Sequence, residues 1–220
     1  MIRPRPGLGA LALLLTVLAS AAGAQSRPPL SREQALANLA KTDVEARREA
    51  AAWLGELGTM ADAPLLLRAL ADSDEVVRGL AEHSIWQVWS RSGDREADHL
   101  FQIGVEQMSH GNGPAAVQTF TLVIQRRPDF AEAWNKRATV YFLMGEYQKS
   151  LADCQEVMKR NPSHFGALAG YGQIYLRLDE PERALDYFRR ALRVNPNLHG
   201  VAEIIPRLEQ AIMERRKGTI

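Results

Sequence analysis

The sequence predicts an all-α fold, an α-solenoid of stacked helical hairpins, and three observations carry that expectation. An ungapped 34-residue period runs from Ala97 to Leu198. A shorter period of 31 residues lies upstream, between Asp43 and Val88. Within each unit the apolar residues recur at helical spacing, with glycine, aspartate or proline at the borders. One hairpin cannot bury its own apolar face, so hairpins repeated at a fixed period must stack on one another.

From the amino terminus, residues 1–24 read as a signal peptide. Arg3 and Arg5 give a basic start, Leu8 to Leu18 an apolar core, and Ala22-Gly23-Ala24 a small-x-small cleavage pattern before Gln25. The rival is a membrane anchor, but the apolar run falls short of the roughly 20 residues needed to cross a bilayer. No cysteine lies near the cut for lipid attachment. The expected mature protein is soluble, periplasmic or secreted, and begins with a linker over 25–31. The 220 residues carry a formal net charge of +1, and losing Arg3 and Arg5 leaves 25 basic against 26 acidic side chains. That balance gives no reason to expect nucleic acid or an anionic membrane as the partner.

Residues 32–90 hold the shorter period. Asp43, Arg47, Ala50, Leu54 and Leu57 recur as Asp74, Arg78, Ala81, Ile85 and Val88, and Leu36 and Leu39 recur as Leu67 and Leu70. Each unit reads as a short helix, a break led by a capping aspartate, then a longer helix. This pattern resembles the short bacterial form of HEAT repeats, and the Asp and Arg are expected to link adjacent turns or repeats. Residues 91–96 form a junction so short that the two arrays are expected to make one continuous solenoid.

In the 34-residue units (97–130, 131–164, 165–198), position 4 reads Leu100, Trp134, Leu168, and position 8 reads Gly104, Ala138, Gly172. Position 20 is Ala116, Ser150, Ala184, and position 24 is Phe120, Cys154, Phe188. Positions 4, 7, 8 and 11 share one helix face, and positions 20, 24 and 27 share a face of a second. Gly111, Gly145 and Asp179 at position 15 break the chain between them, and Pro128, Pro162 and Pro196 at position 32 stop the second helix. These positions resemble the tetratricopeptide repeat family across the whole segment. Gln107 and Asp179 depart from its preferred aromatic and glycine. The resemblance implies a right-handed solenoid that acts as a protein-binding scaffold, not an enzyme. It also implies a capping helix over 199–217, with Pro206 either kinking or starting it.

Motifs for chemistry are missing from the sequence. His83, His99, His110, His164 and His199 form no metal-type pair, and solvated or cap-bonded rings are expected. The carboxylates are spread along helices, and no nucleophile elbow, phosphate loop or dinucleotide motif occurs. No cofactor or metal is expected. Cys154, the only cysteine, reads as a small buried hydrophobe. Trp134 reads as core, and Trp86 and Trp89 as a seal against the first 34-residue repeat.

In the family that the repeats resemble, positions 2, 5, 9, 12 and 13 of the first helix face a concave groove. The binding residues so implied are Phe101, Val105, Met108, Asn135, Thr139, Phe142, Leu143, Gln173 and Arg177. One subclass grips a peptide carboxylate, and its positions here hold Phe101, Val105, Lys136, Gly166 and Gly170, so that clamp is absent. The groove is instead apolar, and an apolar strip marks either a partner site or a surface covered by the chain's own upstream helices. Exported bacterial relatives imply an adaptor of the cell envelope that holds a segment of another protein. Two rivals stand beside it. One is a small-molecule or metal site, or an enzyme, at the junction around His83, Trp86, Trp89 and His99. The other is self-association through the groove.

Overall fold

The computed structural model describes residues 30–218. The expected signal peptide and residues 25–29 of the linker lie outside the described residues. Eleven α-helices and one 3₁₀ turn, with no strand, make up the described chain. The amino-terminal unit comprises α1 (Arg32–Asn38), α2 (Val44–Leu57), a 3₁₀ turn (Met60–Asp62), α3 (Ala63–Ala69) and α4 (Glu75–Trp89). Three hairpins follow: α5 (Arg95–Ser109) with α6 (Gly113–Arg126), α7 (Ala131–Leu143) with α8 (Tyr147–Arg160), and α9 (Phe165–Arg177) with α10 (Pro181–Val194). The chain closes on α11 (His199–Gly218), one helix that runs through Pro206.

Local chemistry sets these borders. Asp43, Asp74 and Asp94 cap α2, α4 and α5, each carboxylate accepting a backbone N–H of the first turn. Ser31 and Gln34 form a reciprocal capping box at α1. The breaks at position 15 are left-handed, with φ of 73° at Gly111, 78° at Gly145 and 59° at Asp179. Glycine takes that conformation without steric cost, and aspartate is one of the few other residues to tolerate it.

Within each hairpin, position 8 meets position 24, and their volumes are matched. A Cβ added at Gly104 would lie 2.7 Å from the Phe120 ring, and one at Gly172 would lie 2.4 Å from Phe188. The middle repeat trades both partners, setting Ala138 against Cys154, each 2% exposed. Cys154 is therefore the small core hydrophobe its position suggests, and burial pushes its thiol up to about 12. Ser150 Oγ donates to the Ala138 carbonyl at 2.7 Å, so its hydroxyl is buried without loss. Trp134 is only half-buried: its ring lies between the guanidinium groups of Arg137 and Arg160, 5.0 and 4.6 Å from its centroid.

The expected continuous solenoid is not what forms. Helices α5 to α11 stack in sequence, but α4 and α5 are not a packed pair. The amino-terminal unit instead doubles back onto the third repeat. Its core of Ala50, Leu54, Leu66, Leu70, Ile85 and Trp89 takes in Phe165 of α9, with Val194 and Leu198 packed on its edge. One of the repeated arginines takes part in the docking. Arg47 Nη1 donates to the carbonyls of Lys41 and Thr42, and its Nε to Asp72 Oδ2 at 2.8 Å. Arg78, 31 residues later, repeats the pattern with the Asp72 and Ser73 carbonyls, but its Nε donates to Asn197 Oδ1 at 3.0 Å. Asn197 Nδ2 in turn donates to the Leu70 carbonyl at 2.9 Å. The loop closing the third repeat thus stands where a third upstream unit would have continued the stack.

Candidate functional site

The candidate groove lies between α7 and α9, the first helices of the second and third hairpins. On α9, Gly166 and Gly170 remove two side chains one turn apart. A cavity of about 180 Å³ results, walled by Asn135, Thr139 and Phe142 of α7 and by Gln173 and Ile174 of α9, with Ser150 and Cys154 of α8 also lining it. An added Cβ at Gly170 would make only ordinary contact, 3.9 Å from Cys154 Sγ. One at Gly166 would collide with the Trp86 ring at 2.5 Å.

Trp86 packs against Gly166, which is part of the cavity wall. Its ring meets His164 and Phe165 edge-on, with centroids 5.6 and 5.1 Å away, and Lys136 Nζ stands 5.9 Å from its centre. Trp89 stacks on His164 at 4.4 Å. The expected seal of these tryptophans against the first 34-residue repeat is corrected: they seal the start of the third. Toward Phe142 the surface stays open, with Leu143 at 68% exposure and the Arg177 guanidinium 5.9 Å from the Phe142 ring.

Of the groove residues expected from the sequence, the cavity gathers Asn135, Thr139, Phe142 and Gln173, with Leu143 and Arg177 exposed beyond it. Phe101 is a correction. It is 1% exposed and packed between Phe120 and Phe130, with centroids 5.8 and 5.1 Å away, so it is core. Val105 and Met108 are half-buried against the same cluster and do not border the cavity. Asn135 is itself buried, its Nδ2 donating to Glu132 Oε2 at 3.1 Å.

Beneath Trp86 and Trp89 lies a buried polar pair. His164 caps α9 by accepting the Ala167 N–H at its Nδ1, 3.0 Å away. With Nδ1 an acceptor, the ring proton of the neutral form sits on Nε2 and is donated to Glu132 Oε2 at 2.8 Å. Burial alone would raise the Glu132 carboxyl, but the His164 bond and the nearby Lys136 charge hold it below the usual carboxylate range. His164 is thus cap-bonded, as expected, and also wholly buried. Among the described residues no group of three His, Cys, Asp or Glu side chains is arranged to hold a metal ion.

Comparison with known proteins agrees with this architecture. Residues 129–197 match the tetratricopeptide repeat family. A TPR repeat-containing protein of Rhizobium etli is 35% identical over 108 residues, 49% of this chain and 53% of its own length. Hsp70-Hsp90 organizing protein 1 of Glycine max is 25% identical over 122 residues, 56% of this chain and 21% of that protein. The chain thus spans about half the length of the first relative and about a fifth of the second. Among solved structures, the first TPR of Spaghetti (RPAP3), bound to an HSP90 peptide, superposes with a TM-score of 0.52 at 22% identity, covering 53% of this chain and 93% of that one. The Sgt2 TPR domain of Aspergillus fumigatus gives 0.54 at 17% identity, over 58% and 85% of the two chains.

Proposed function

We propose that this chain, which carries tetratricopeptide repeats, is a non-enzymatic adaptor of the bacterial cell envelope that holds a segment of another protein in the open part of its groove. Repeats of this family mediate protein–protein interaction, and the RPAP3 domain was solved with an HSP90 peptide in place. The observation that carries the reading is the cavity between α7 and α9, apolar in lining and open toward Phe142 and Leu143. Its occupant differs from the HSP90-type peptide. Where the carboxylate-binding subclass has its gripping side chains, this chain has the buried Phe101, Val105, two glycines and a lysine already paired with Glu132 at 3.2 Å. Export with loss of residues 1–24, and HEAT-like identity for the helix pairs of 32–89, belong to the same reading. Among the described residues no helix is long and apolar enough to cross a membrane.

The test is site-specific photocrosslinking in intact cells. A crosslinking residue at Leu143 should capture a defined protein, and Phe142→Ser should abolish the capture without changing the circular dichroism. Equal capture from Val76, exposed on α4, or capture indifferent to Phe142→Ser, would overturn the proposal. Mass spectrometry of the same purified protein should give Gln25 as its first residue.

A further inference from the structure

The groove cavity between α7 and α9 has a size, a polar group and a charge that together describe its occupant. Its volume is about 180 Å³, and an apolar cavity of about 150 Å³ is enough to hold one benzene molecule. Ala138, Cys154 and Ile174, each no more than 2% exposed, give it apolar walls. The Ser150 hydroxyl on the same wall is already spent on the Ala138 carbonyl. Phe142 adds a half-buried ring against which a second ring can pack. A phenyl group suits this space.

Gln173 supplies the polar group. It is half-buried on the wall, and its carboxamide bonds to no other described residue. A carboxamide donates and accepts at once, which matches the backbone N–H and C=O of an extended segment.

Charge selects the sequence around the anchor. No residue lining the cavity is acidic. Arg177, one turn beyond Gln173 on α9, is exposed and stands 5.9 Å from the Phe142 ring. The carboxylates at the turns after α7 and α9 are committed elsewhere, Glu146 to Lys149, Asp179 to Arg215 and Glu180 to Arg183. Arg177 forms no ion pair with any described residue, whereas Lys136 is paired with Glu132. A cation without a carboxylate therefore stands beside an apolar cavity.

We propose that the occupant is an internal, extended, acidic segment of the partner protein. A phenylalanine of that segment fills the cavity, and an aspartate or glutamate two residues away pairs with Arg177. Alternate residues of an extended chain point the same way roughly 7 Å apart, a span that suits a guanidinium beside the cavity wall. No free chain end is needed. This inference rests on the adaptor reading and narrows it, since an adaptor would equally stand with a partner of other chemistry.

The experiment is calorimetric titration of the full chain with the peptide acetyl-Gly-Asp-Ala-Phe-Ala-Asp-Gly-amide. Both ends are blocked, and an aspartate on each side of the phenylalanine serves either chain direction. Binding should saturate at one peptide per chain. Replacing the phenylalanine by alanine should weaken it about tenfold or more, and replacing both aspartates by asparagine about fivefold at low salt. Gly170→Leu fills the cavity and should abolish binding with unchanged circular dichroism. Arg177→Glu, at an exposed position that does not threaten folding, should reject the aspartate peptide and bind its lysine counterpart instead. The proposal is overturned if the alanine peptide binds as well, if Arg177→Glu leaves the order of the two charged peptides unchanged, or if no peptide gives saturable heat. Capture of a protein at Leu143 together with failure of the peptide would remove this inference and leave the adaptor reading standing; failure of both would remove both.

Discussion

The amino-terminal unit and the three 34-residue repeats are both stacks of helical hairpins, yet they are held together differently. Each 34-residue hairpin closes by shape, a small residue at position 8 receiving the side chain at position 24. The upstream unit closes by directional bonds, with Arg32 to Asp62, Arg47 to Asp72 and Arg48 to Asp74 tying helix to loop or cap at 2.6–2.8 Å. Shape closure is internal to a repeat and propagates identically. A guanidinium that reaches beyond its own unit needs an acceptor next door, and the last of them, Arg78, finds Asn197 of a distant repeat. That difference explains how a chain of two consecutive arrays folds back on itself.

Cutting the contact between the regions should have the largest effect. Trp89 is 3% exposed, stacks on His164 and packs at a tilt against Phe165, so Trp89→Ala should cost about 3–5 kcal/mol. In urea, hydrogen exchange should then show α1–α4 opening before α5–α11. Equal loss of protection in both regions would mean that they form one cooperative body.

The shape-closed region is probed by two glycines on one helix. Gly172→Ala drives a methyl into Phe188 and should destabilise by about 1–3 kcal/mol. Gly170→Ala meets only Cys154 Sγ at 3.9 Å and should stabilise by up to about 1 kcal/mol through helix propensity. Thermal denaturation of the two variants checks the opposite signs.

Acid should give the smallest effect of the three, and a variant can separate the two regions. The guanidinium groups of Arg32, Arg47 and Arg48 hold Asp62, Asp72 and Asp74 below the usual carboxylate range. In the unfolded chain these aspartates take up protons near pH ~4. Their contribution is therefore complete above that value and is lost as pH falls through the lower folded values. On acidification α1–α4 should lose exchange protection, and the second repeat should lose it separately where the buried Glu132 is likewise held below its usual range. Arg47→Gln should raise the pH at which α1–α4 open and leave the repeats where they were.

Much of the molecule was legible in advance. The glycines at 104, 111, 145 and 172, the prolines at 128, 162 and 196, and the caps at Asp43 and Asp74 act within about one helical turn or one hairpin, and such local effects survive any tertiary arrangement. The groove was legible in part. Asn135, Thr139, Phe142 and Gln173 do border a cavity. Phe101 failed because the face a residue occupies depends on the neighbouring repeat, and the first repeat sets Phe101 between Phe120 and Phe130. Gly166 and Gly170, one turn apart on a groove helix, were the readable sign of the cavity.

The sequence by itself determined the secondary structure, the repeat period and the internal closure of each hairpin, because those follow from backbone preference and the volumes of residues close in the chain. Only the tertiary structure decided where the upstream unit lands, that Trp86 packs on Gly166, His164 and Phe165, and that Trp89, Glu132 and Asn161 share a cavity. Those contacts join residues far apart in the chain, and no periodicity carries that information. They arise because Phe165 and Leu198 offer apolar surface, and Asn197 an acceptor, at the spacing the last upstream helix presents.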